Sequence, residues 1–166
     1  MKYFKIIFIC ALFLLSENLF SEEFKVVTIR KDTIDLMKLS ENNHLFIITY
    51  TYGYSCFDCF IDIVKNLDSL QKKYDENTKY VFLSKTKNNS QARRSEIENI
   101  GKIKPNLDVY FDIYDEDDKN SGLFAKYKIS TTPSIFYIHN SKINYISFDK
   151  LNNSGNYYSI LKDIIK

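Results

Sequence analysis

The chain has 166 residues, of which 45% are hydrophobic and 27% are charged, and its formal net charge is +2. This length suits one domain with a full core, and the balance of acidic and basic residues gives no electrostatic argument for nucleic-acid binding. Only four glycines and two prolines occur, which excludes a linker-rich or low-complexity chain.

Residues 1–21 have the pattern of a secretory signal peptide. Lys2 and Lys5 precede an uncharged apolar stretch over 6–15, and a more polar segment ends at Ser21. The apolar stretch is shorter than the roughly 20 residues that span a bilayer. We expect cleavage near Ser21, and the alternatives are an uncleaved anchor or a buried N-terminal helix.

Cleavage would change the number of cysteines in the protein. Cys10 would be lost with the signal peptide, which leaves Cys56 and Cys59 as the cysteines of a mature domain over 22–166. The segment before Cys10 has Phe and Ile where a lipoprotein signal needs small residues, so we do not expect lipidation. An exported protein meets an oxidising compartment, where disulfides form. A structural disulfide framework would spread its cysteines along the chain, and the cysteines of this domain are not spread.

Hydrophobic periodicity predicts alternating strands and helices. Strands are expected at 24–29, 45–49, 80–83, 107–113 and 135–138, with 142–148 pairing back as a hairpin. Helices are expected at 33–39 with Asp32 as N-cap, 57–74, 92–100 between a Ser90 cap and a Gly101 stop, 123–127 and 154–165. Polar loops are expected at 85–89 and 115–120. This order favours one α/β sandwich with a mixed sheet.

Cys56 and Cys59 lie where the buried strand 45–49 is followed by the amphipathic helix 57–74. A Cys-x-x-Cys pair in this setting indicates a redox dithiol, although a structural or a vestigial pair remains open. Zinc sites usually need four ligands, and His44 and His139 lie far away in the sequence. The acidic run 115–118 lacks the glycine and the spacing of a calcium loop. We therefore expect no metal and no cofactor.

Thr132-Pro133 follows the cysteines by 74 residues. With the order of elements, it makes the chain resemble the thioredoxin fold, a three-layer sandwich. An inserted helix (about 90–101) and strand (107–113) before the proline, together with the stretch 125–134, resemble the exported TlpA/ResA-like branch of thioredoxin-like thiol-disulfide oxidoreductases. The resemblance covers roughly residues 24–165.

The resemblance implies site residues. Cys56 would be the nucleophile and Cys59 the resolving thiol, and together they would form the catalytic redox disulfide. Pro133 would be a cis-proline, although it could instead begin an edge strand. Thr132, Pro133 and Phe57 would bind substrate. Asp62, three residues after Cys59, would relay a proton, although it could equally be a surface acid.

Two departures from the family concern proton handling. Ser55 stands where the family usually has tryptophan, and Tyr50 stands where thioredoxin has a buried aspartate. Cys56 is nevertheless placed at a helix N-terminus, which stabilises a thiolate. Asp58 in the first turn disfavours the neighbouring thiolate, which favours a reducing couple, although it could be an ordinary solvated acid.

The expected function is that of an exported thiol-disulfide oxidoreductase, acting as a reductant on protein dithiol or disulfide substrates. Its location would be the periplasm or cell envelope, with a membrane-bound electron donor, as a monomer that binds no nucleic acid. A peroxiredoxin would need threonine at 53, which is Gly53. The alternative is a non-catalytic thioredoxin-like binding module.

Overall fold

The computed structural model describes residues 23–51, 56–74, 77–105, 107–114, 122–153 and 156–165. These residues form one sheet of seven strands with helices packed on both faces. The strands are β1 (Lys25–Val27), β2 (Thr33–Asp35), β3 (His44–Tyr50), β4 (Thr78–Lys87), β5 (Val109–Tyr114), β6 (Ile135–His139) and β7 (Lys142–Ile146). The helices are α1 (Leu36–Leu39), α2 (Phe57–Tyr74), α3 (Ser90–Gly101), α4 (Gly122–Lys126), α5 (Phe148–Asn153) and α6 (Tyr157–Ile165).

The sheet has the strand order β2-β1-β5-β4-β3-β6-β7, so β4 is at its centre. β4 runs parallel to both of its neighbours, β3 and β5. The other pairs are antiparallel. The predicted mixed sheet flanked by helices, with an inserted helix (α3) and strand (β5) before the proline, is therefore confirmed.

Each central strand contributes side chains to two separate cores. Alternate residues of a strand point to opposite faces of the sheet. Phe46 and Ile48 of β3 pack on one face with residues from α2 and α6. Leu45 and Ile47 pack on the other face with residues from α1 and α4. This explains why β3 reads as a continuous apolar run, as the sequence predicted.

Helix α2 begins and ends at the predicted residues. Four of its side chains, Phe60, Ile63, Leu67 and Leu70, have no exposed surface. Their spacing of three and four residues places them on one face of a helix, and that face covers the sheet. The packing of α2 fixes the helix whose first turn contains the cysteine pair.

The expected helix over 33–39 is wrong in its first half, which is strand β2 paired with β1. The short helix α1 follows, and its N-cap is Asp35 rather than Asp32. The Asp35 carboxylate accepts hydrogen bonds from the N–H groups of Met37 and Phe24, both at 3.1 Å. One side chain therefore begins the helix and also joins it to the chain that enters β1.

The expected loop over 85–89 is wrong over 85–87, because β4 continues to Lys87, and the connection to the next helix consists of Asn88 and Asn89. Its pairing with β5 extends over Lys85↔Asp112 to Lys87↔Tyr114. Two polar side chains in this part of the strand, Ser84 and Thr86, are buried. Part of the polarity that indicated a loop therefore belongs to the interior of the sheet, whereas Lys87 is exposed.

Helix α3 begins at Ser90, two residues before the start that its apolar pattern indicates. The side chain of Asn89, rather than that of Ser90, is the cap, and its Oδ1 accepts the Gln91 N–H at 2.8 Å. The helix ends at Gly101, as predicted. The expected strand at 107–113 is β5, which spans Val109–Tyr114. The expected helix at 123–127 is α4, which spans Gly122–Lys126.

The last part of the chain contains the predicted hairpin. Asn140 and Ser141 connect β6 to β7 with φ angles of 47° and 61°, the backbone that a two-residue turn of type I′ requires. The expected strand over 142–148 ends at Ile146, because Phe148 begins α5, a helix that the sequence did not predict. The final helix is described from Tyr157 onward.

Several expectations lie outside the described residues, namely the signal peptide at 1–21, Gly53 and Ser55 before the cysteines, and the acidic loop at 115–120. Within the residues that are described, no helix has both the length and the apolar character needed to cross a membrane.

Candidate active site

Cys56 and Cys59 are joined by a disulfide, with their Cα atoms 5.3 Å apart. Cys56 is exposed and immediately precedes α2, whereas Cys59 lies in the first turn and is partly buried. The outer sulfur is therefore accessible to another molecule, and the inner sulfur is shielded by the helix.

The beginning of α2 provides N–H groups around Cys56. The N–H of Cys59 donates to Cys56 Sγ at 3.3 Å, and the N–H of Phe60 donates to the Cys56 carbonyl oxygen at 3.2 Å. The first three amides of the helix, which include that of Cys59 but not that of Phe60, have no partner within the helix, and they carry the positive end of its dipole. In the reduced protein the same groups would stabilise a thiolate at Cys56.

Pro133 forms a cis peptide bond with Thr132, which confirms the prediction made for it. The side chains of both residues are buried, whereas Ser130 and Thr131 before them are exposed. The part of this loop that can meet another polypeptide is therefore its backbone and its exposed start, rather than the proline ring.

The loop after Pro133 is fixed to the strand that leads toward the cysteines. The N–H of Ser134 donates to Thr49 Oγ1 at 2.8 Å. The N–H and the hydroxyl of Thr49 both donate to the Ser134 carbonyl oxygen, at 2.8 and 3.0 Å. Both residues are fully buried. The sequence analysis missed this clamp, and its only signal was a threonine inside the apolar run of β3.

Phe57 and Asp58 occupy the first turn of α2 between the cysteines. Phe57 is 52% exposed, and it is one of two large hydrophobic side chains that are exposed among the described residues. Asp58 is also exposed. Asp62, one turn further, is exposed as well, and its backbone carbonyl accepts a hydrogen bond from Asn66. The expected role of Asp62 as a proton relay stays a prediction.

Tyr50 occupies the position where thioredoxin has an acid. Its ring is buried and contacts Phe60 edge-on, with 5.0 Å between ring centres. On the neighbouring strand β4, Ser84 pairs with Tyr50. Glu96 of α3 is buried near Ser84, and burial raises the pKa of Glu96 while Ser84 lowers it by less. The sequence analysis missed this acid, because a glutamate in a polar helix normally faces solvent.

The two histidines of the chain form a pair that the sequence did not predict. His44 and His139 stack with 4.1 Å between ring centres, and Tyr137 OH shares a hydrogen bond of 2.6 Å with His44 Nδ1. His44 begins β3 and the cysteines follow the other end of that strand, whose own length is about 20 Å. Across the described ranges no cluster of three or more His, Cys, Asp or Glu side chains could hold a metal ion.

The sequence matches no protein-family model and no curated protein. The fold is nevertheless similar to solved structures. The thioredoxin domain of a thiol-disulfide oxidoreductase from Bacteroides vulgatus matches with a TM-score of 0.57 and 12% identity, over 88% of this chain and 95% of that chain. A thiol-disulfide oxidoreductase from Bacteroides fragilis matches with a TM-score of 0.53 and 16% identity, over 87% of this chain and 98% of that chain.

A third structure, a thiol:disulfide interchange protein from Bacteroides sp., matches with a TM-score of 0.53 and 16% identity, over 81% of this chain and 84% of that chain. The chain therefore has a thioredoxin-like fold, as the sequence resemblance implied. At these identities the likeness concerns the fold, and the activity has to be argued from the cysteine pair and its surroundings.

Proposed function

We propose that this protein is a thiol-disulfide oxidoreductase that exchanges the Cys56–Cys59 disulfide with cysteines of other proteins. The observation that carries the proposal is the exposed Cys56 at the start of α2, joined to a shielded Cys59 within a thioredoxin-like fold. A bridge that closes so short a loop adds little stability by constraining the unfolded chain, so a purely structural role is poorly supported.

The proposed exchange runs through a mixed disulfide. In the reducing direction the Cys56 thiolate attacks one sulfur of a substrate disulfide, whose S–S bond breaks, and the released substrate sulfur takes up a proton. Cys59 then loses its proton and attacks Cys56 Sγ. The mixed disulfide breaks, the second substrate thiol leaves, and the Cys56–Cys59 disulfide forms as the substrate disulfide becomes two thiols.

Substrate binding is proposed for Thr132, Pro133 and Phe57, as the resemblance implied. The burial of the Thr132 and Pro133 side chains favours recognition through the backbone of the loop. The exposed ring of Phe57 adds apolar surface beside Cys56. These features support the binding of an extended polypeptide next to the disulfide.

We propose that the physiological direction is reduction. Asp58 is an exposed acid in the first turn of α2, two residues after Cys56, and a negative charge there makes a thiolate less favourable and the disulfide more stable. Equilibration with glutathione buffers measures the reduction potential. A potential near the oxidising extreme, such as about −120 mV, would contradict this direction.

The proposed location is the periplasm or cell envelope. It depends on the signal peptide at 1–21, with the thioredoxin-like domain over 22–166 as the mature protein, acting as a monomer. Reduction there requires a supply of electrons, for which we propose a membrane-bound donor. N-terminal sequencing of the exported protein tests this, since an N-terminus near residue 22 is expected and an intact Met1 would contradict cleavage.

Reduction of insulin by the protein with dithiothreitol as electron source tests the proposed activity. We expect wild-type protein to accelerate insulin reduction, and Cys56→Ser to abolish the acceleration because it removes the nucleophile. A non-catalytic binding module would show no acceleration in either form. Cys59→Ser should instead retain mixed disulfides on Cys56, which identifies substrates by mass spectrometry.

A further inference from the structure

A small polar cavity of about 150 Å³ lies beside the loop that contains the cis-proline. Its walls come from the ends of two central strands, from α4 and from the loop itself: Thr51, Lys85, Phe124, Ile129, Ser130 and Thr132. The cavity is thus next to the surface that we propose for substrate binding. Nothing in the proposed exchange chemistry uses it.

Lys85 is the charged residue of this cavity. It is partly buried, and its Nζ lies 5.1 Å from the ring centre of Tyr114 and 5.9 Å from that of Phe124. Aromatic rings of this kind stabilise a cation without neutralising its charge. Among the described residues Lys85 forms no ion pair, and it supplies the ammonium group of this cavity.

Among the described residues, Asp112 interacts with Lys85 through its charge but forms no ion pair with it. The two residues are paired across β4 and β5. However, Asp112 Oδ1 accepts the Leu123 N–H at 2.9 Å and Oδ2 accepts the Phe124 N–H at 2.8 Å. A β-carbon at Gly122 would come within 2.6 Å of Asp112 Oδ1, which shows how closely this carboxylate is packed. Asp112 is therefore held by α4.

The cavity combines this cation with hydroxyl groups at the entrance of the loop. Ser130 is exposed, Thr132 follows it on the same loop, and Thr51 comes directly after the strand that leads toward Cys56. A carboxylate is an acceptor that both an ammonium and a hydroxyl can serve. Phosphate is a less suitable ligand, because one lysine leaves most of its charge uncompensated.

We infer that this cavity binds the carboxylate of an aspartate or glutamate in the substrate polypeptide, with Lys85 as the residue that selects it. The inference rests on the proposed function, because the acidic residue is carried by the chain that exchanges its disulfide at Cys56. The site would give specificity for substrates with an acid near the reactive cysteine. Partly buried charge pairs contribute in this way to the choice of partner.

A series of synthetic peptides, each with an intramolecular disulfide, tests the inference on the reduced protein. One series has glutamate at successive positions on either side of one cysteine, and a matched series has glutamine. At one position of the glutamate we expect reduction to be about tenfold faster than for the glutamine peptide, with the preference decreasing as salt is added. This measurement needs no variant.

Variants of Lys85 then locate the preference. Lys85→Met should remove the preference while the glutamine peptide is reduced at an unchanged rate, and Lys85→Arg should retain it. Lys79→Met is the matched control, because Lys79 is an exposed lysine on the same strand that does not line this cavity. A preference that survives Lys85→Met, or that Lys79→Met abolishes equally, would overturn the assignment to this cavity.

A second measurement separates this inference from the proposed function. Peptides with serine in place of both cysteines, labelled with fluorescein, can be bound to the oxidised protein and followed by anisotropy. If wild-type protein reduces the peptides but no glutamate improves either rate or binding, the carboxylate site is wrong and the exchange activity stands. If no peptide is reduced but the glutamate peptide binds through Lys85, the activity is wrong and the site stands.

Discussion

Two carboxylates buried on opposite faces of the sheet have very different surroundings. Asp112 at 4% exposure receives a backbone N–H on each oxygen. Glu96 at 9% exposure has an Oε2 without a hydrogen-bond partner in the described part of the chain. Burial raises the pKa of both groups, but the backbone N–H groups act in the opposite direction only at Asp112.

The difference follows from the position of each acid relative to a helix. Asp112 faces the beginning of α4, where amide groups have no partner within the helix. Glu96 lies inside α3, where the amides are already used. Arg93, three residues earlier, is 1% exposed, and its Nε and Nη1 also find no hydrogen-bond partner in the described ranges. At Asp112 the backbone donors therefore offset part of the cost of burying the carboxylate, whereas at Glu96 only the side chain of Ser84 acts in that direction.

The largest effect is expected for Asp112→Ala, which leaves two buried N–H groups of α4 without an acceptor. We expect a loss of about 3 kcal/mol in the free energy of unfolding, measured by urea denaturation. Asp108→Ala is the control, because Asp108 is an exposed acid just before the same strand. A loss at Asp112 no larger than that of the control would mean that the Asp112 carboxylate does not stabilise the beginning of α4.

Glu96→Gln should change stability in the opposite direction. The ordinary pKa of glutamate is 4.5 and that of Glu96 is raised in the folded protein, so wild-type stability falls as the pH rises from 4.5 through the folded pKa. At pH 7 we expect the variant to be more stable by about 1 kcal/mol, a gain that vanishes below pH 4.5. Glu98→Gln, at an exposed position of the same helix, should show no such gain. An unchanged or destabilised Glu96→Gln protein at pH 7 would mean that the Glu96 charge is satisfied after all.

The smallest effect is expected at the histidine pair, where a partly buried group, His44, is a potential cation. Burial and then His139 lower the pKa of His44 from its ordinary value of 6.5. Stability should therefore be complete above pH 6.5 and decrease as the pH falls through the lowered pKa, by about 0.5 kcal/mol. Urea denaturation between pH 7 and pH 5 measures this, and His44→Asn should flatten the dependence. A fall of the same size in the variant would place its origin elsewhere.

The features that the sequence predicted well depend on long periodic patterns. Helix α2 was predicted at both ends because Phe60, Ile63, Leu67 and Leu70 repeat over its whole length. The continuous apolar run of β3 likewise indicated a strand covered on both faces. The cis-proline was predicted from the family resemblance, which supplied a context that periodicity does not contain.

The features that the sequence did not predict depend on contacts between distant residues. The clamp between Thr49 and Ser134 joins residues that are 85 positions apart. The stacking of His44 on His139 follows from the pairing of β3 with β6. Lys85 read as a loop residue because its strand continues past the apolar run, and only the sheet register places it beside α4.

The clamp between Thr49 and Ser134 also has a consequence for how the protein meets a changing oxidation state. Its three hydrogen bonds involve a hydroxyl and backbone groups, and no sulfur atom. Opening the disulfide therefore leaves these three hydrogen bonds beside Pro133 in place. The backbone around Ser134 is therefore fixed in the same way in both oxidation states, and the chemical change of each proposed exchange is confined to the two sulfurs.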